Sequence, residues 1–185
     1  MPTLVFVRHA KTNYNKTKTF TGRIDCDITE ESFEEAKAKF KDMDKNFDYI
    51  YCSPLRRTKQ TLDAIIPNVA PIIDERIIEI YLGDWQGVLK ETLDKDLIDA
   101  YRSGKYTPPN AESTQELDSR VCNFIEDMFE KYTENDKILI VTHSGVMRAI
   151  KRHFVENYEV IKVKNLETIT LTQKDFDYYL SKKEV

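Results

Sequence analysis

Two short, uninterrupted apolar runs stand out along the chain, Leu4-Val5-Phe6-Val7 and Ile138-Leu139-Ile140-Val141. Continuous apolarity over strand length, without alternation, predicts strands buried on both faces, as in an open sheet covered by helices. These runs are the cores of strands predicted over 3–7 and 137–142, with further strands over 47–52 and 71–74. Strand-like runs at 160–163, 168–172 and 176–180 close the sheet. Helical spacing predicts the intervening elements. Thr29 serves as an N-cap, with Glu30 and Glu31 in the first turn, for a helix running to Met43, whose inner face carries Phe33, Ala36 and Phe40. Pro54 opens a helix that gives way at Pro67, and residues 88–103 read as another. The capping box Ser113-x-x-Glu116 opens a long helix to Tyr132, with Leu117, Val121, Phe124, Ile125 and Met128 inward. A last helix runs from Val146 to His153. The pattern is that of an α/β fold, and with no repeat, low-complexity tract or linker it predicts one domain over 1–185.

Both dominant strands end in histidine. The first empties into Arg8-His9, the second into His143-Ser144-Gly145, in a chain with three histidines in all. Arg8-His9 alone would read as the polar end of a core strand; the second strand-end histidine makes one shared phosphate site the better reading. A neutral imidazole can attack phosphorus near neutral pH, so His9 is the candidate nucleophile, and Arg8 offers a planar fork for phosphoryl oxygens. Arg57 follows the strand ending at Cys52, near a helix start; a solvated helix residue would fit there too, but the position after a strand favours phosphate contact in the same pocket. In the polar stretch 10–27, Asn15 and the Phe20-Thr21-Gly22 turn offer side-chain and backbone donors, although a plain surface loop competes. Glu79 lies between isoleucines, where an apolar surround would keep a carboxyl group able to donate a proton. A salt-bridged surface glutamate fits that spacing too. His153, near a helix end, complements the helix dipole and receives no chemistry.

Composition narrows the partners. Across 185 residues, 41% hydrophobic and 32% charged, no run is long enough to span a membrane. The start lacks the marks of a signal peptide, so a cytoplasmic location is expected. Cys26, Cys52 and Cys122 are odd in number and free of CxxC spacing, which argues against disulfides and zinc; Cys52 and Cys122 read as core. The formal net charge of −4 argues against nucleic acid or an anionic membrane, so any positive potential must be a local pocket for a small phosphorylated substrate.

The motifs Arg8-His9-Ala10-x-Thr12-x-x-Asn15, Ser53-x-Leu55-x-Arg57-x-x-Gln60-Thr61, Glu79 before Gly83-Asp84-Trp85-x-Gly87, Glu112-Ser113 and Val141-Thr142-His143-Ser144-Gly145-Val146-x-Arg148 occur in one order along the chain. In that order the chain resembles the histidine phosphatase superfamily, also called phosphoglycerate mutase-like, from residue 4 to about 150. The resemblance implies a three-layer α/β/α sandwich with a mostly parallel sheet. It makes His9 the phosphohistidine-forming nucleophile, Arg8, Arg57 and His143 the phosphoryl pocket, and Glu79 the proton donor, with Asn15, the Gly22 turn and the Ser144 amide as secondary donors. The arginines and His143 stand in for a metal, so no cofactor is expected. Ala10 in place of the usual glycine, Lys11, Ser32 and the lack of an arginine soon after Asn15 depart from the common pattern and bear on substrate recognition. Ile80-Tyr81-Leu82-Gly83 replaces the arginine-histidine-tyrosine-glycine run of cofactor-dependent mutases, which favours a phosphatase over a mutase. The segment Glu79 to Gly87 is also similar to that of α-ribazole phosphatases. A non-catalytic phospho-ligand-binding module is the alternative from another class, disfavoured because binding alone needs neither nucleophile nor proton donor. Lys11, Tyr14, Tyr81, Trp85 and Arg102 are the candidate specificity contacts.

Overall fold

The computed structural model describes residues 1–157 and 163–183. Its strands, β1 Thr3–Arg8, β2 Tyr49–Cys52, β3 Ile72–Ile73, β4 Lys137–Thr142 and β5 Thr168–Leu171, form one sheet in the spatial order β3-β2-β4-β1-β5. The first four run parallel, and β5 lies antiparallel to β1 at the edge. The helices are α1 Asn13–Lys16, α2 Glu30–Lys39, α3 Arg56–Ile65, α4 Lys95–Arg102, α5 Thr114–Lys131, α6 Ser144–Phe154 and α7 Gln173–Lys183.

The unbroken apolar runs divide between two cores. Leu4 and Phe6 of β1 and Ile138 and Ile140 of β4 face a core with Phe124, Ile125, Ile150 and Phe176 from α5, α6 and α7. Val7, Leu139 and Val141 face the opposite core, with Ala36, Phe40, Leu62 and Ile65 at α2 and α3. Side chains alternate across a strand, so a sheet covered by helices on both faces needs apolar residues at every position. Each such Leu, Ile or Phe contributes roughly 1.5–3 kcal/mol by leaving water. The result is the expected three-layer α/β/α arrangement.

The register decides where the chemistry sits. Val7 lies opposite Val141 and Arg8 opposite Thr142, and the His9 amide donates to the Thr142 carbonyl at 2.9 Å. The two strand-end histidines therefore leave the sheet side by side at its carboxyl edge, where open α/β sheets place their ligands.

Several element boundaries differ from the sequence reading. The run 176–180 is not a strand but part of α7: Asp175 accepts from the Thr172 amide (2.8 Å) and hydroxyl (2.9 Å), and Phe176 and Tyr179, three apart, are buried. Residues 88–103 split into a 3-10 turn, Lys90–Thr92, and α4, because the Asp94 side chain caps the Asp96 and Leu97 amides and starts the helix afresh. Helix α2 ends at Lys39, short of Met43, and the strand over 71–74 shrinks to Ile72–Ile73. Pro54 precedes α3, whose N-cap is Leu55. Of the strand read at 160–163, residues 160–162 lie outside the described residues, and Val163 is in a loop.

Candidate active site

His9, only 3% exposed, begins the loop after β1. Its Nδ1 lies 2.6 Å from the Ala10 carbonyl oxygen. A carbonyl can only accept, so Nδ1 carries the proton and the lone pair is left on Nε2. The His143 ring stands beside it, with centroids 5.2 Å apart and planes at 58°. His143 is fully buried, and its Nε2 lies 2.7 Å from the Ser53 hydroxyl at the end of β2. Burial, reinforced by the nearby Arg8 and Arg57 charges, holds the His9 imidazole well below its ordinary pKa. Burial and the same arginines, with His9, do so for His143. Both rings are thus neutral at physiological pH.

Arg8 ends β1 and gives Nη1 to the Val163 carbonyl at 2.6 Å. Burial lowers its pKa to about 10, which leaves it cationic at neutral pH. Arg57, in the first turn of α3, is 1% exposed; its Nη1 donates to the Ile24 carbonyl (2.8 Å) and Nη2 to the Gly22 carbonyl (2.7 Å). It therefore shapes the 22–24 turn from behind. Gly22 has φ +53°, and a Cβ there would stand 2.4 Å from the Gln86 Oε1 that accepts from the Arg23 amide. Among the described residues four buried side-chain polar atoms lack a partner, and three of them are Arg8 Nε, Arg57 Nε and His143 Nδ1. The two guanidinium Nε–H groups are donors of like-charged side chains, and leaving them unpaired is costly unless an acceptor joins them.

Glu79 is buried at the rim of this cluster, and it is not a surface salt-bridge residue. Its surround also differs from the apolar one read from Ile78 and Ile80. The carboxylate sits on the amino end of α6: Oε1 accepts from the Gly145 amide (2.8 Å) and the Ile80 amide (3.0 Å), and Oε2 from the Ser144 hydroxyl (3.1 Å). Glycine at 145 is a steric requirement, since a Cβ would lie 2.2 Å from Oε1. Behind Glu79 runs a brace. Arg23 Nε donates to the Glu79 carbonyl (2.9 Å), and Arg120 Nη1 to the carbonyls of Arg76 (2.6 Å) and Ile78 (2.8 Å). Glu112 ties the two arginines together, at 3.1 Å from Arg23 Nη2 and 2.6 Å from Arg120 Nε.

A cavity of about 550 Å³ opens over these groups. Of the expected residues, Arg8, His9, Asn15, Thr21, Gly22, Glu79 and Ser144 line it, while Arg57 and His143 stand behind its wall. Sequence reading missed Asn165, whose amide donates to the His9 carbonyl (2.9 Å) and to Asn15 Oδ1 (3.2 Å), and also Lys18 and Lys90 on the wall. A lone asparagine or lysine in a polar loop carries no signal to find it by. Arg23 was equally hidden. Arg102 lines the cavity as expected of a specificity contact. The other four candidates do not: Lys11 pairs with Glu35 at 3.1 Å in the open, Tyr81 is exposed, Tyr14 lies outside the lining, and Trp85 packs against Phe20 and Tyr101 with centroids 5.1 and 5.4 Å away. His153 pairs with Asp118 at 3.0 Å, away from the cavity. Cys52 and Cys122 are buried core thiols, and burial pushes each up to about 11.

Paired strand-end histidines, buried arginines and a glutamate on a helix amino end, mounted on a sheet of this order, mark an enzyme built to handle a phosphoryl group. The chain belongs to the histidine phosphatase superfamily (branch 1), whose pattern matches residues 4–181. It is 34% identical over 158 residues to putative phosphoserine phosphatase 2 of Hydrogenobacter thermophilus, covering 81% of this chain and 77% of that protein. It is 30% identical over 161 residues to a phosphoglycerate mutase of Schizosaccharomyces pombe, covering 80% and 76%. A solved phosphoglycerate mutase from Thermus thermophilus shares the fold, with a TM-score of 0.76, 25% identity, and 91% of this chain and 92% of that one covered. The relatives thus include both phosphatases and mutases. No helix among the described residues is long and apolar enough to cross a membrane.

Proposed function

We propose that the protein is a metal-independent phosphomonoesterase that hydrolyses a small phosphorylated metabolite through a phosphohistidine on His9. The observation that carries this reading is the His9 tautomer: the Ala10 carbonyl holds Nδ1–H and leaves the lone pair on Nε2 of a ring that lines a cavity ringed by cations. In the first step the Nε2 lone pair bonds to phosphorus as the ester P–O bond breaks, and Glu79 gives its proton to the departing oxygen. Arg8, Arg57 and His143 stabilise the charge that spreads over the phosphoryl oxygens, the role a metal fills elsewhere. In the second step Glu79 takes a proton from the water that attacks phosphorus, and the P–N bond breaks to free His9 and phosphate. The hydrogen bonds indicate which Glu79 oxygen does this. Oε1 already accepts from two fixed amides, whereas Oε2 meets only the Ser144 hydroxyl, which can turn from donor to acceptor when Oε2 is protonated.

Hydrolysis of p-nitrophenyl phosphate in EDTA, abolished in His9→Ala, is the expected outcome, with an acid-labile, base-stable phosphoryl adduct trapped on the wild type. A protein that binds phosphate but turns over no monoester would be a binding module. The mutase reading has the mutase relatives behind it. Transfer of the phosphoryl group from 2,3-bisphosphoglycerate to a monophosphoglycerate, faster than release of free phosphate, would establish it instead.

A further inference from the structure

The loop that enters β5 holds the backbone of the nucleophile. The Arg8 amide donates to the Glu167 carbonyl (3.0 Å) and the Leu166 amide to the Arg8 carbonyl (3.1 Å), so residues 166 and 167 carry the pairing past Val7 and Thr168, where the β1–β5 ladder ends. Leu166 does this at φ +60°, a backbone conformation that side chains disfavour, while it is 5% exposed. Its neighbours hold it there. The Leu166 carbonyl accepts from Lys39 Nζ (2.8 Å), and the Glu167 carboxylate takes the Lys164 amide (2.7 Å) and Lys151 Nζ (2.5 Å). Strain that so many bonds maintain marks a turn kept for what it presents, and this one presents Asn165 to the site.

The two protons on Asn165 Nδ2 have separate acceptors, the His9 carbonyl (2.9 Å) and Asn15 Oδ1 (3.2 Å). A carbonyl can only accept, so the Asn165 amide has its nitrogen on this side. Each bond fixes a different part of the site. The His9–Ala10 peptide is pinned at both ends: its oxygen by Asn165, and its N–H by Thr61 Oγ1 at 2.9 Å, a hydroxyl that gives its own proton to the Arg57 carbonyl (2.6 Å). The next carbonyl along, that of Ala10, is the one that keeps the proton on His9 Nδ1. Asn15 Oδ1 also accepts from the Thr12 amide (3.2 Å), so two donors set it as the oxygen and leave the Asn15 NH2 group for the cavity, which both asparagines line.

We propose that Asn165 is a positioning residue for phosphoryl transfer, which fixes the His9–Ala10 peptide and with it the Nδ1–H tautomer, and which keeps the Asn15 NH2 group available to a phosphoryl oxygen. It acts through His9 and Asn15. The role of Asn15 rests on the proposed phosphatase reading, whereas the hold on the His9 tautomer does not.

Asn165→Leu keeps the bulk of the side chain and removes both donors. With p-nitrophenyl phosphate, kcat should fall by roughly 10- to 100-fold, the loss that follows when a reacting group is misplaced by up to about 1 Å. KM should rise by only roughly 2- to 10-fold, the share of one hydrogen bond, and that rise should disappear when Asn165→Leu is made in an Asn15→Ala background. Asn165→Asp keeps the shape but turns an oxygen toward both acceptors, and at neutral pH it should lose at least as much kcat as leucine does. The tautomer is read directly from long-range 1H–15N spectra of the ligand-free protein: His9 should be Nδ1–H in the wild type and a mixture of tautomers in Asn165→Leu. A merely structural residue would lower the melting temperature and leave that signature unmoved. An Asn165→Leu variant with a pure Nδ1–H tautomer, or with kcat within threefold of wild type, overturns the proposal, as does a wild type whose tautomers are already mixed. Asn165→Ala carries the same comparisons if leucine prevents folding. If the wild type turns over no monoester, the phosphatase reading fails by itself, and the spectra alone decide the role of Asn165: mixing in the variant supports it, and an unchanged tautomer refutes it.

Discussion

Gly145→Ala isolates the placement of Glu79 from every other feature of the site. The added methyl would stand 2.2 Å from Glu79 Oε1, 3.4 Å from its Cδ and 3.3 Å from Ile80 Cγ2. Ordinary contact needs about 3.5 Å, so the oxygen must retreat by roughly 1 Å. That breaks its 2.8 Å bond to the residue 145 amide and loosens the 3.0 Å bond to Ile80. A charge-assisted hydrogen bond is worth about 1.5–3 kcal/mol, and alanine returns about 1 kcal/mol in helix propensity. Net stability should therefore fall by no more than about 2 kcal/mol, or about 4–8 °C in Tm. The effect on rate is larger. A 1 Å displacement of a proton-transfer group costs about 100-fold, toward the lower end of the range for general acid catalysis. With an alkyl phosphate, kcat should drop by roughly 100- to 1,000-fold. With p-nitrophenyl phosphate, whose leaving group needs no proton, the first step survives and only the hydrolysis of phosphohistidine is slowed. Stopped-flow traces should then show a burst of nitrophenolate close to one equivalent per site, which the wild type lacks. An alkyl phosphatase rate within threefold of wild type, with no burst, would refute the assignment of the proton to a Glu79 held by α6.

Acidification should destabilise the ligand-free protein through its two buried imidazoles. Their native pKa values lie well below 6.5 and their unfolded values near it, so below pH 6.5 the unfolded chain binds up to two more protons. Stability contributed by these groups is complete above pH 6.5 and is lost as pH falls, at up to about 2.7 kcal/mol per pH unit. Denaturant midpoints at pH 7.5, 6 and 5 in phosphate-free buffer measure it; His143→Gln should remove about half the slope, and an unchanged slope contradicts the burial. Gly22→Ala forces a positive φ on alanine and displaces the Gln86 oxygen, and should lower stability by roughly 2–3 kcal/mol, about 5–10 °C in a thermal melt. Ser144→Ala leaves Glu79 Oε2 without its hydroxyl and should lower kcat by roughly 2- to 10-fold with little change in Tm; an unaltered kcat argues against Oε2 as the proton-bearing oxygen.

The parts legible in the sequence were those where one physical demand dominates. A strand covered on both faces must be apolar throughout, so β1 and β4 declared themselves, and the abrupt polarity of Arg8-His9 and His143-Ser144 marked the sheet edge between them. Helix α7 misled because Phe176, Tyr178, Tyr179 and Leu180 have the aromatic, strand-like composition of an edge strand. Its true signal was the Thr172-x-x-Asp175 cap, a local feature outweighed by composition. Glu79 does line the cavity, but the sequence shows only part of what holds it there. Its isoleucine neighbours were visible, whereas the α6 amide that holds it belongs to a residue 66 positions away. For Arg57 the contacts with the 22–24 turn stayed hidden, because proximity to a strand end says nothing about which carbonyls its nitrogens will meet. Long-range partners of polar side chains have no period in the sequence, and this is why Asn165 and Arg23 emerged only in three dimensions.

The adjacency of β1 and β4 carries a consequence for synthesis and assembly. The two histidines are neighbours only after a strand near the amino terminus has accepted one that follows more than a hundred residues later, across β2, β3 and the long α5. No ribosome-bound intermediate lacking β4 can complete the phosphoryl pocket, so turnover has to wait for that pairing. Recovery of turnover during refolding would thus time that pairing directly, independent of how early the helices form.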